Sequence, residues 1–244
     1  MNEGKGEKIM TIGIIGAMDV ENEHIAAQLE NSRSETVSGI TFISGKLGGI
    51  SVTAAVCGIG KVFAAVCAQT MIIRYHADAI INTGIAGSLS PQLGELDTVV
   101  AKDVVQHDMD TTFFGDEPGL ISGINIVNIP CDKALSAAAS AAAHEIGLEC
   151  RTARIASGDR FINAAAHRRE IAEKFNASVC EMEGAAIGQV CYINKIPFTV
   201  IRTVSDGADG STTLDYSSFR EVAAQRSAKI AIALIKHIGR ECDE

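Results

Sequence analysis

Residues 79–88 are Ala-Ile-Ile-Asn-Thr-Gly-Ile-Ala-Gly-Ser, and this stretch decides the fold class. Its first half, Ala79 to Thr83, is a short apolar run typical of a strand that is buried on both faces. The glycine-rich second half, Gly84 to Ser88, predicts a loop at the end of that strand. A sheet built from such strands needs helices above and below it, so the stretch indicates an α/β fold.

Strand and helix patterns alternate along the rest of the chain. Strands are predicted at residues 12–16, 40–44, 52–56, 98–104 and 152–156, and helices at 20–29, 62–75, 133–146, 164–175 and 217–238. Gly48-Gly49 predicts a hairpin between two of the strands, and residues 107–123 are predicted to form a long functional or interfacial loop. The alternation predicts a mostly parallel or mixed sheet that binds its ligand at the carboxyl ends of its strands.

Two late segments place acids at the ends of apolar runs. They are Val179-Cys180-Glu181-Met182-Glu183-Gly184 and Arg202-Thr203-Val204-Ser205-Asp206-Gly207. Burying an unpaired carboxylate costs several kcal/mol, and such a group often takes up a proton instead. A carboxyl group of this kind can donate a proton to a substrate. Arg202 lies inside the second run and needs a buried acidic partner, for which Glu21 and Glu183 are the candidates.

Composition limits the class of protein. The chain has 244 residues, is 47% hydrophobic and carries a formal charge of -9. We expect one domain over residues 10–240, after a loose tail at 1–9. The acidic balance argues against a nucleic-acid partner and favours a small molecule. Seven cysteines without a Cys-x-x-Cys pair suit a reducing cytoplasm, and the polar first nine residues predict neither a signal peptide nor a membrane span.

Several familiar motifs are incomplete. Gly58-Ile59-Gly60-Lys61 lacks the spacing of a phosphate-binding loop, and the glycines after the first strand lack the dinucleotide fingerprint. The Glu-x-x-His step that begins at Glu21 has no second copy to complete a di-metal site. For His107-Asp108-Met109-Asp110, a cation site is a weaker alternative to a solvated acidic loop or a substrate rim. Neither a metal nor a cofactor is expected.

Six further motifs follow one another along the chain. They are Ile12-Gly13-Ile14-Ile15-Gly16-Ala17-Met18 with Glu21, Gly58-Ile59-Gly60-Lys61, Asn82-Thr83-Gly84-Ile85-Ala86-Gly87, Ser157-Gly158-Asp159-x-Phe161-Ile162, Glu181-Met182-Glu183 and Ser205-Asp206. From Met10 to about Ile238, this ordered set resembles the 5'-methylthioadenosine/S-adenosylhomocysteine nucleosidases of the purine nucleoside phosphorylase/uridine phosphorylase-like superfamily. The resemblance implies a three-layer α/β/α fold with a central mixed, partly barrel-like sheet, a homodimer, and hydrolysis of the N-glycosidic bond of adenine thionucleosides.

The resemblance also implies roles at the reacting bond. Cleavage pushes electrons onto the purine, so an acid should protonate it at N7, and Asp206 is the best candidate, oriented by Ser205. Glu21 would activate or position water, with Arg202 close to the water and to the carboxylates. The simpler interpretations remain open: Glu21 as an acid that complements a helix dipole, Asp206 as a turn or cap acid, and Glu181 as the structural member of its pair.

The remaining predicted contacts hold the nucleoside. Glu183 suits the vicinal ribose hydroxyls, Met182 lies under the sugar, and Phe161 with the Ile162 backbone holds adenine, while Ala86 and Gly87 line the glycine segment beside it. Around the 5' substituent the family pattern places Met18, Ile59, Phe161 and Tyr216, with Thr111 and Phe114 lent by a partner subunit. Met18, Met182 and Phe161 would otherwise be ordinary core residues. Ile85 stands where many relatives have serine.

The nucleophile separates the possible functions. A phosphorylase needs cations around phosphate, whereas residues 13–23 contain no Lys or Arg and several acids. Water is therefore the expected nucleophile. The substrates implied are 5'-methylthioadenosine and S-adenosylhomocysteine, with 5'-deoxyadenosine as an open third. A purine nucleoside phosphorylase and a non-catalytic nucleoside-binding protein are the alternatives.

Overall fold

The computed structural model describes the backbone of residues 10–207 and 216–243. The tail predicted at residues 1–9 lies outside the described residues. The strands are β1 (Thr11–Gly16), β2 (Glu30–Val37), β3 (Ile40–Leu47), β4 (Ile50–Val56), β5 (Ala79–Ser88), β6 (Thr98–Gln106), β7 (Asn128–Pro130), β8 (Cys150–Ser157), β9 (Val179–Glu181) and β10 (Phe198–Asp206). The helices are α1 (Asp19–Ala26), α2 (Lys61–Arg74), α3 (Lys133–Glu145), α4 (Ala165–Phe175), α5 (Gly184–Asn194) and α6 (Tyr216–Asp243), with a short 3₁₀ turn at Thr112–Phe114.

The described strands form one mixed sheet, part of which closes on itself. Strands β5, β9, β8, β6 and β10 pair in that order, and β10 returns to pair with β5, which closes a five-stranded barrel. From β5 the sheet continues through β1, β4, β3 and β2, while β7 pairs with β6. The expected mixed, partly barrel-like sheet is therefore confirmed. Strand β5 is central because it pairs with β1, β9 and β10.

Helices cover both faces of this sheet. On β1, Ile12 and Ile14 pack into a core with α1, α3 and α6, whereas Ile15 packs into a second core with α2 and α5. Likewise Ile80 and Ile81 of β5 face opposite cores. This alternation follows from the two-residue period of a strand. Helix α4 packs on a third, smaller cluster that includes Ile162 and Cys180, and the result is the expected three-layer arrangement.

The predicted loop at residues 84–88 is wrong, because β5 continues to Ser88. Neither Gly84 nor Gly87 has a positive φ, so no turn requires them. Both positions need glycine because a side chain there would collide with neighbouring side chains. A Cβ on Gly84 would lie 2.6 Å from Oε1 of Glu21, and a Cβ on Gly87 would lie 3.1 Å from Oδ2 of Asp206. Because these glycines have no side chain, buried polar side chains can pack directly against the backbone of β5.

Other boundaries also differ from prediction. Strand β2 was missed because it is a polar, exposed edge strand without apolar alternation, and the three-residue β7 is too short to give a pattern. Helix α5 was missed because glycines interrupt it. A Cβ on Gly188 would lie 2.8 Å from the Phe198 ring, so the glycine serves close packing. Helix α1 ends at Ala26, three residues before the predicted end.

Candidate active site

A cavity of about 220 Å³ lies at the carboxyl ends of β1, β9 and β10. Most of the predicted site residues line it, namely Met18, Glu21, Ile59, Ala86, Gly87, Phe161, Ile162, Met182, Glu183, Ser205 and Asp206. The other lining residues are Ala17, Ile85, Arg160, Cys180, Glu181 and Arg220. Residues that are far apart in sequence therefore meet at the sheet edge where α/β proteins bind ligands.

Glu21 lies in the first turn of α1 and is 3% exposed. Its Oε2 accepts the backbone N–H groups of Ala17 (2.6 Å) and Met18 (3.0 Å), and its Oε1 accepts the N–H of Ile85 (3.2 Å). Burial raises the pKa of Glu21, and this outweighs the nearby Arg202 and the three N–H donors, which lower it. This carboxyl group caps α1, as the helix-acid interpretation expects, and it also lines the cavity. Its role toward water stays a prediction.

Arg202 is bound most directly to Glu181. Its Nη2 donates to Oε2 of Glu181 and to Oδ1 of Asn82 at 2.6 Å, while Oε2 of Glu183 lies 3.7 Å away. Sequence analysis expected Glu21 or Glu183 as its partner, and the direct partner is instead Glu181. Arg202 is 1% exposed and lies behind the cavity wall. Its contacts with the cavity lining are those with Glu181 and Glu183.

Glu181 is held by donors from three elements. It accepts Ser157 Oγ–H from β8, Arg202 from β10, and the first backbone N–H groups of α5, those of Glu183 (3.1 Å) and Gly184 (2.8 Å). Both of its oxygens are therefore committed to donors within the protein. Its geometry is that of the structural acid of the pair.

Glu183 keeps one carboxylate oxygen less committed. Its Oε1 accepts the N–H of Gly60 at 2.9 Å, and its nearest cation is Arg202 at 3.7 Å. Burial first, and then the charge of Glu181, raise the pKa of Glu183 to about 7. Around neutral pH this carboxyl group can therefore exchange a proton, and it lines the cavity at the carboxyl end of β9.

Asp206 has two side-chain donors, one on each oxygen. Ser205 Oγ–H donates to Oδ1 at 2.7 Å, and Nη2 of Arg168 donates to Oδ2. Arg168, from α4, was not predicted, because one arginine in an otherwise amphipathic helix has no local sequence signature. The carboxylate that seemed to lack a partner in the sequence thus forms a buried ion pair.

The walls of the cavity are largely apolar. Met18, Ile59 and Met182 line it together with Phe161 and Ile162. Phe161 remains 56% exposed although it borders the cavity, and an aromatic side chain at such a place is suited to contact with a flat ring. Such a pocket, apolar with a few convergent carboxylates, is typical of a small-molecule site.

Some predicted residues lie elsewhere. Phe114 is 80% exposed and lies outside the cavity lining, and Thr111 donates its hydroxyl to Asp116 at 2.7 Å. The side chain of Tyr216 lies outside the described residues. Arg160 and Arg220, both exposed at the cavity, were not predicted.

The described residues also bear on metals and membranes. Within residues 10–207 and 216–243, no three His, Cys, Asp or Glu side chains are grouped so that they could hold a metal ion. Asp108 of the candidate cation motif binds Nζ of Lys61 instead. Over the same part of the chain, no helix is long and apolar enough to span a bilayer.

Comparison with known proteins places this fold and site in a class. The family model described as Phosphorylase superfamily matches residues 11–236. A 5'-methylthioadenosine/S-adenosylhomocysteine nucleosidase of Shewanella sediminis is 40% identical over 231 residues, which cover 94% of this chain and 100% of the relative.

Solved structures agree with these matches. The 5'-methylthioadenosine/S-adenosylhomocysteine nucleosidase from Neisseria meningitidis in complex with methylthio-immucillin-A superposes with a TM-score of 0.89 at 36% identity, covering 93% of this chain and 98% of that one. Futalosine hydrolase of Helicobacter pylori gives 0.88 at 31% identity, covering 93% and 97%.

The barrel-containing fold and its acidic, apolar cavity therefore define a member of the phosphorylase superfamily, a class of α/β proteins. Within that class, the chain belongs to the 5'-methylthioadenosine/S-adenosylhomocysteine nucleosidase family.

Proposed function

We propose that this protein hydrolyses the N-glycosidic bond of 5'-methylthioadenosine and S-adenosylhomocysteine, and releases adenine and the 5'-substituted ribose. The observation that carries the proposal is that Glu21, Glu183 and Asp206 line one cavity. The reaction needs one acid to activate water, one to bind the sugar hydroxyls and one to protonate the purine, and Glu21, Glu183 and Asp206 take these roles in that order. The reaction serves methionine salvage and the methyl cycle, and 5'-deoxyadenosine is a third candidate substrate.

The three acids divide the reaction. Asp206, once protonated, gives its proton to N7 of the purine as the bonding electrons move onto the base. Glu183 accepts hydrogen bonds from the ribose hydroxyls, which gain strength as positive charge develops on the sugar. Glu21 orients water and takes its proton as the oxygen attacks the anomeric carbon. Phe161 and the Ile162 backbone hold adenine, and Met182 packs under the sugar.

Water is favoured over phosphate as the nucleophile by the charges around the sugar. Arg202, the cation beside the three glutamates, already donates to Glu181 and Asn82. Phosphate beside these glutamates would need uncommitted forked donors at that place. Arg160 and Arg220 also line the cavity, but neither lies within ion-pair distance of any of the three glutamates. Among the described residues that line the cavity are instead the carboxyl groups of Glu21, Glu181 and Glu183, and each of them repels an oxyanion whenever it is ionised.

The cations Arg160 and Arg220 bear on the 5' substituent. Both line the cavity, and no described carboxylate lies within ion-pair distance of either. An exposed guanidinium is suited to a carboxylate. These two residues therefore support acceptance of S-adenosylhomocysteine, whose 5' substituent ends in an amino acid, besides the smaller methylthio group.

A homodimer is part of the proposal, with Thr111 and Phe114 reaching the neighbouring site. Supporting it are exposed apolar side chains at the start of α2 and in the 3₁₀ turn, namely Val62, Phe63, Val66, Phe113 and Phe114. Exposed apolar side chains that form a contiguous patch often mark an interface. A cytoplasmic location is also proposed, and the described cysteines, which are free and mostly buried, are compatible with a reducing compartment.

Incubation with 5'-methylthioadenosine, with and without phosphate, tests the proposal. We expect free adenine and a reducing sugar in both conditions, and the Glu21→Gln variant should lose most of the rate. Release that requires phosphate would assign the protein to the phosphorylases instead. Tight binding without release would favour a nucleoside-binding protein.

A further inference from the structure

Arg168 is a buried cation in α4, a helix whose other Arg, Lys and Glu side chains are exposed. It is 2% exposed, whereas its neighbour Arg169 in α4 is exposed. Its Nη1 donates to the carbonyl oxygens of Ser88 (3.1 Å) and Gly207 (2.6 Å), and its Nη2 donates to Oδ2 of Asp206. Burying a guanidinium costs free energy unless its charge is paired. Here the guanidinium is bound by two carbonyl oxygens and by the Asp206 carboxylate, so its burial is tied to Asp206.

Gly87 gives the ion pair its space. A Cβ at this position would lie 3.1 Å from Oδ2 of Asp206 and 3.3 Å from Nη1 of Arg168. Since Gly87 has no positive φ, its backbone conformation does not need glycine. Gly87 therefore leaves room for Arg168 to reach Asp206 at the end of β10, where Asp206 lines the cavity.

The position of Arg168 relative to the cavity limits what it can do. Asp206 and Ser205 line the cavity, but Arg168 does not. The guanidinium therefore acts on a bound purine through the Asp206 carboxylate. It holds one oxygen, Ser205 holds the other at 2.7 Å, and these two donors together fix the plane of the carboxyl group.

We propose that Arg168 is a positioning residue for the purine-protonating acid. It orients Asp206 toward the cavity and stabilises the carboxylate that remains after the proton has moved from Asp206 to N7 and the bonding electrons have moved onto the purine. The inference rests on the proposed nucleosidase reaction and adds a residue to it that no sequence motif contains.

A double-mutant cycle tests this role. In the otherwise unchanged protein, Arg168→Met should lower kcat for adenine release from 5'-methylthioadenosine at least about tenfold with a smaller change in KM. In the Asp206→Asn background, the same substitution should change kcat by less than about twofold, because the carboxylate through which Arg168 acts is no longer present. Arg168→Lys should recover part of the loss, and Arg169→Met is the matched control that should behave as the unchanged protein.

Folding is monitored in parallel, since Arg168→Met leaves Asp206 buried without its partner. The double variant removes both charges and should unfold at a higher temperature than Arg168→Met. If Arg168→Met costs the same factor of kcat in both backgrounds, or retains full kcat, the positioning role is overturned. If the unchanged protein releases no adenine, the proposed function itself fails, and the two failures are thus distinguishable.

Discussion

The backbone N–H of Gly60 donates a 2.9 Å hydrogen bond to Oε1 of Glu183, a residue 123 positions later in the chain. The bond fixes the cavity acid at the amino end of α2, where a helix favours negative charge. Even so, burial first and then Glu181 raise the pKa of Glu183 to about 7. Protonation of Glu183 is therefore linked to the stability of this part of the fold.

Stability should fall as the pH rises through the range in which Glu183 titrates. The ordinary pKa is 4.5 and the folded value is about 7, so between these values the native state binds more protons than the unfolded chain. The free energy of unfolding must then decrease with rising pH across that window and level off above it. Urea unfolding of the unchanged protein and of Glu183→Gln at about pH 5 and about pH 8 measures the difference. Equal pH dependence in the two proteins would remove Glu183 as its source.

Asp206→Asn should bind nucleoside and lose turnover. Asparagine keeps the shape and one acceptor oxygen, which can take the Arg168 hydrogen bond, while its amide N–H can donate to the Ser205 hydroxyl. It has no carboxyl proton to give. We expect kcat to fall about 10²- to 10⁴-fold, while adenine affinity, measured by calorimetry, changes much less. Near-normal turnover would mean that another group protonates the purine.

Arg202→Met should be among the most destabilising single changes at the site. It leaves Glu181 and Glu183, both buried, without their nearest cation, and breaking a buried pair in this way costs about 3–5 kcal/mol. Thermal and urea unfolding give the value. Arg74→Met is the control, because its pair with Glu35 is half exposed and should matter little. A similar small effect for both arginines would argue against the buried network.

Gly84→Ala should damage the water site without requiring a change of backbone region. The new methyl group would lie 2.6 Å from Oε1 of Glu21 and 2.9 Å from Nη1 of Arg202, so it must displace one of them. Adenine release should drop at least about tenfold, since small displacements at a reacting centre are expensive. Gly94→Ala is the matched control, because a Cβ at that position would meet no atom within 4 Å. Equal activities would show that the crowding at Gly84 is relieved elsewhere.

Charge at the cavity mouth should affect selectivity more than rate. Replacing both Arg160 and Arg220 with methionine should lower kcat/KM for S-adenosylhomocysteine relative to 5'-methylthioadenosine several-fold, by removal of partners for the amino-acid carboxylate. Competition between the two substrates in one vessel gives the ratio directly. An unchanged ratio would remove these arginines from 5' recognition.

The sequence predicted what depends on short-range pattern. Buried strands such as β1 and β10 carry apolar runs, and Glu21, Glu183 and Asp206 belong to motifs, so their meeting in one cavity could be anticipated. The partners could not. Arg168 reaches Asp206, and Glu181 takes Arg202, through contacts between distant elements.

Glycine was the most misleading residue type. Gly84 and Gly87 resemble a turn in the sequence, yet they lie in an extended strand crowded by side chains from α1, α4 and β10. Local propensity cannot distinguish a glycine needed for its backbone freedom from one needed for its lack of a side chain. That distinction requires the three-dimensional neighbours.

Strand β10 closes the barrel against β5, yet it is made about 110 residues after β5 ends. At ribosomal speeds of about 5–20 residues per second, that delay is roughly 5 to 20 seconds. For most of this time the nascent chain has a central strand without two of its neighbours, β9 and β10, and it lacks Asp206. The cavity therefore cannot be complete before β10 is made, and until then β5 is the strand whose open edges a chaperone would have to protect.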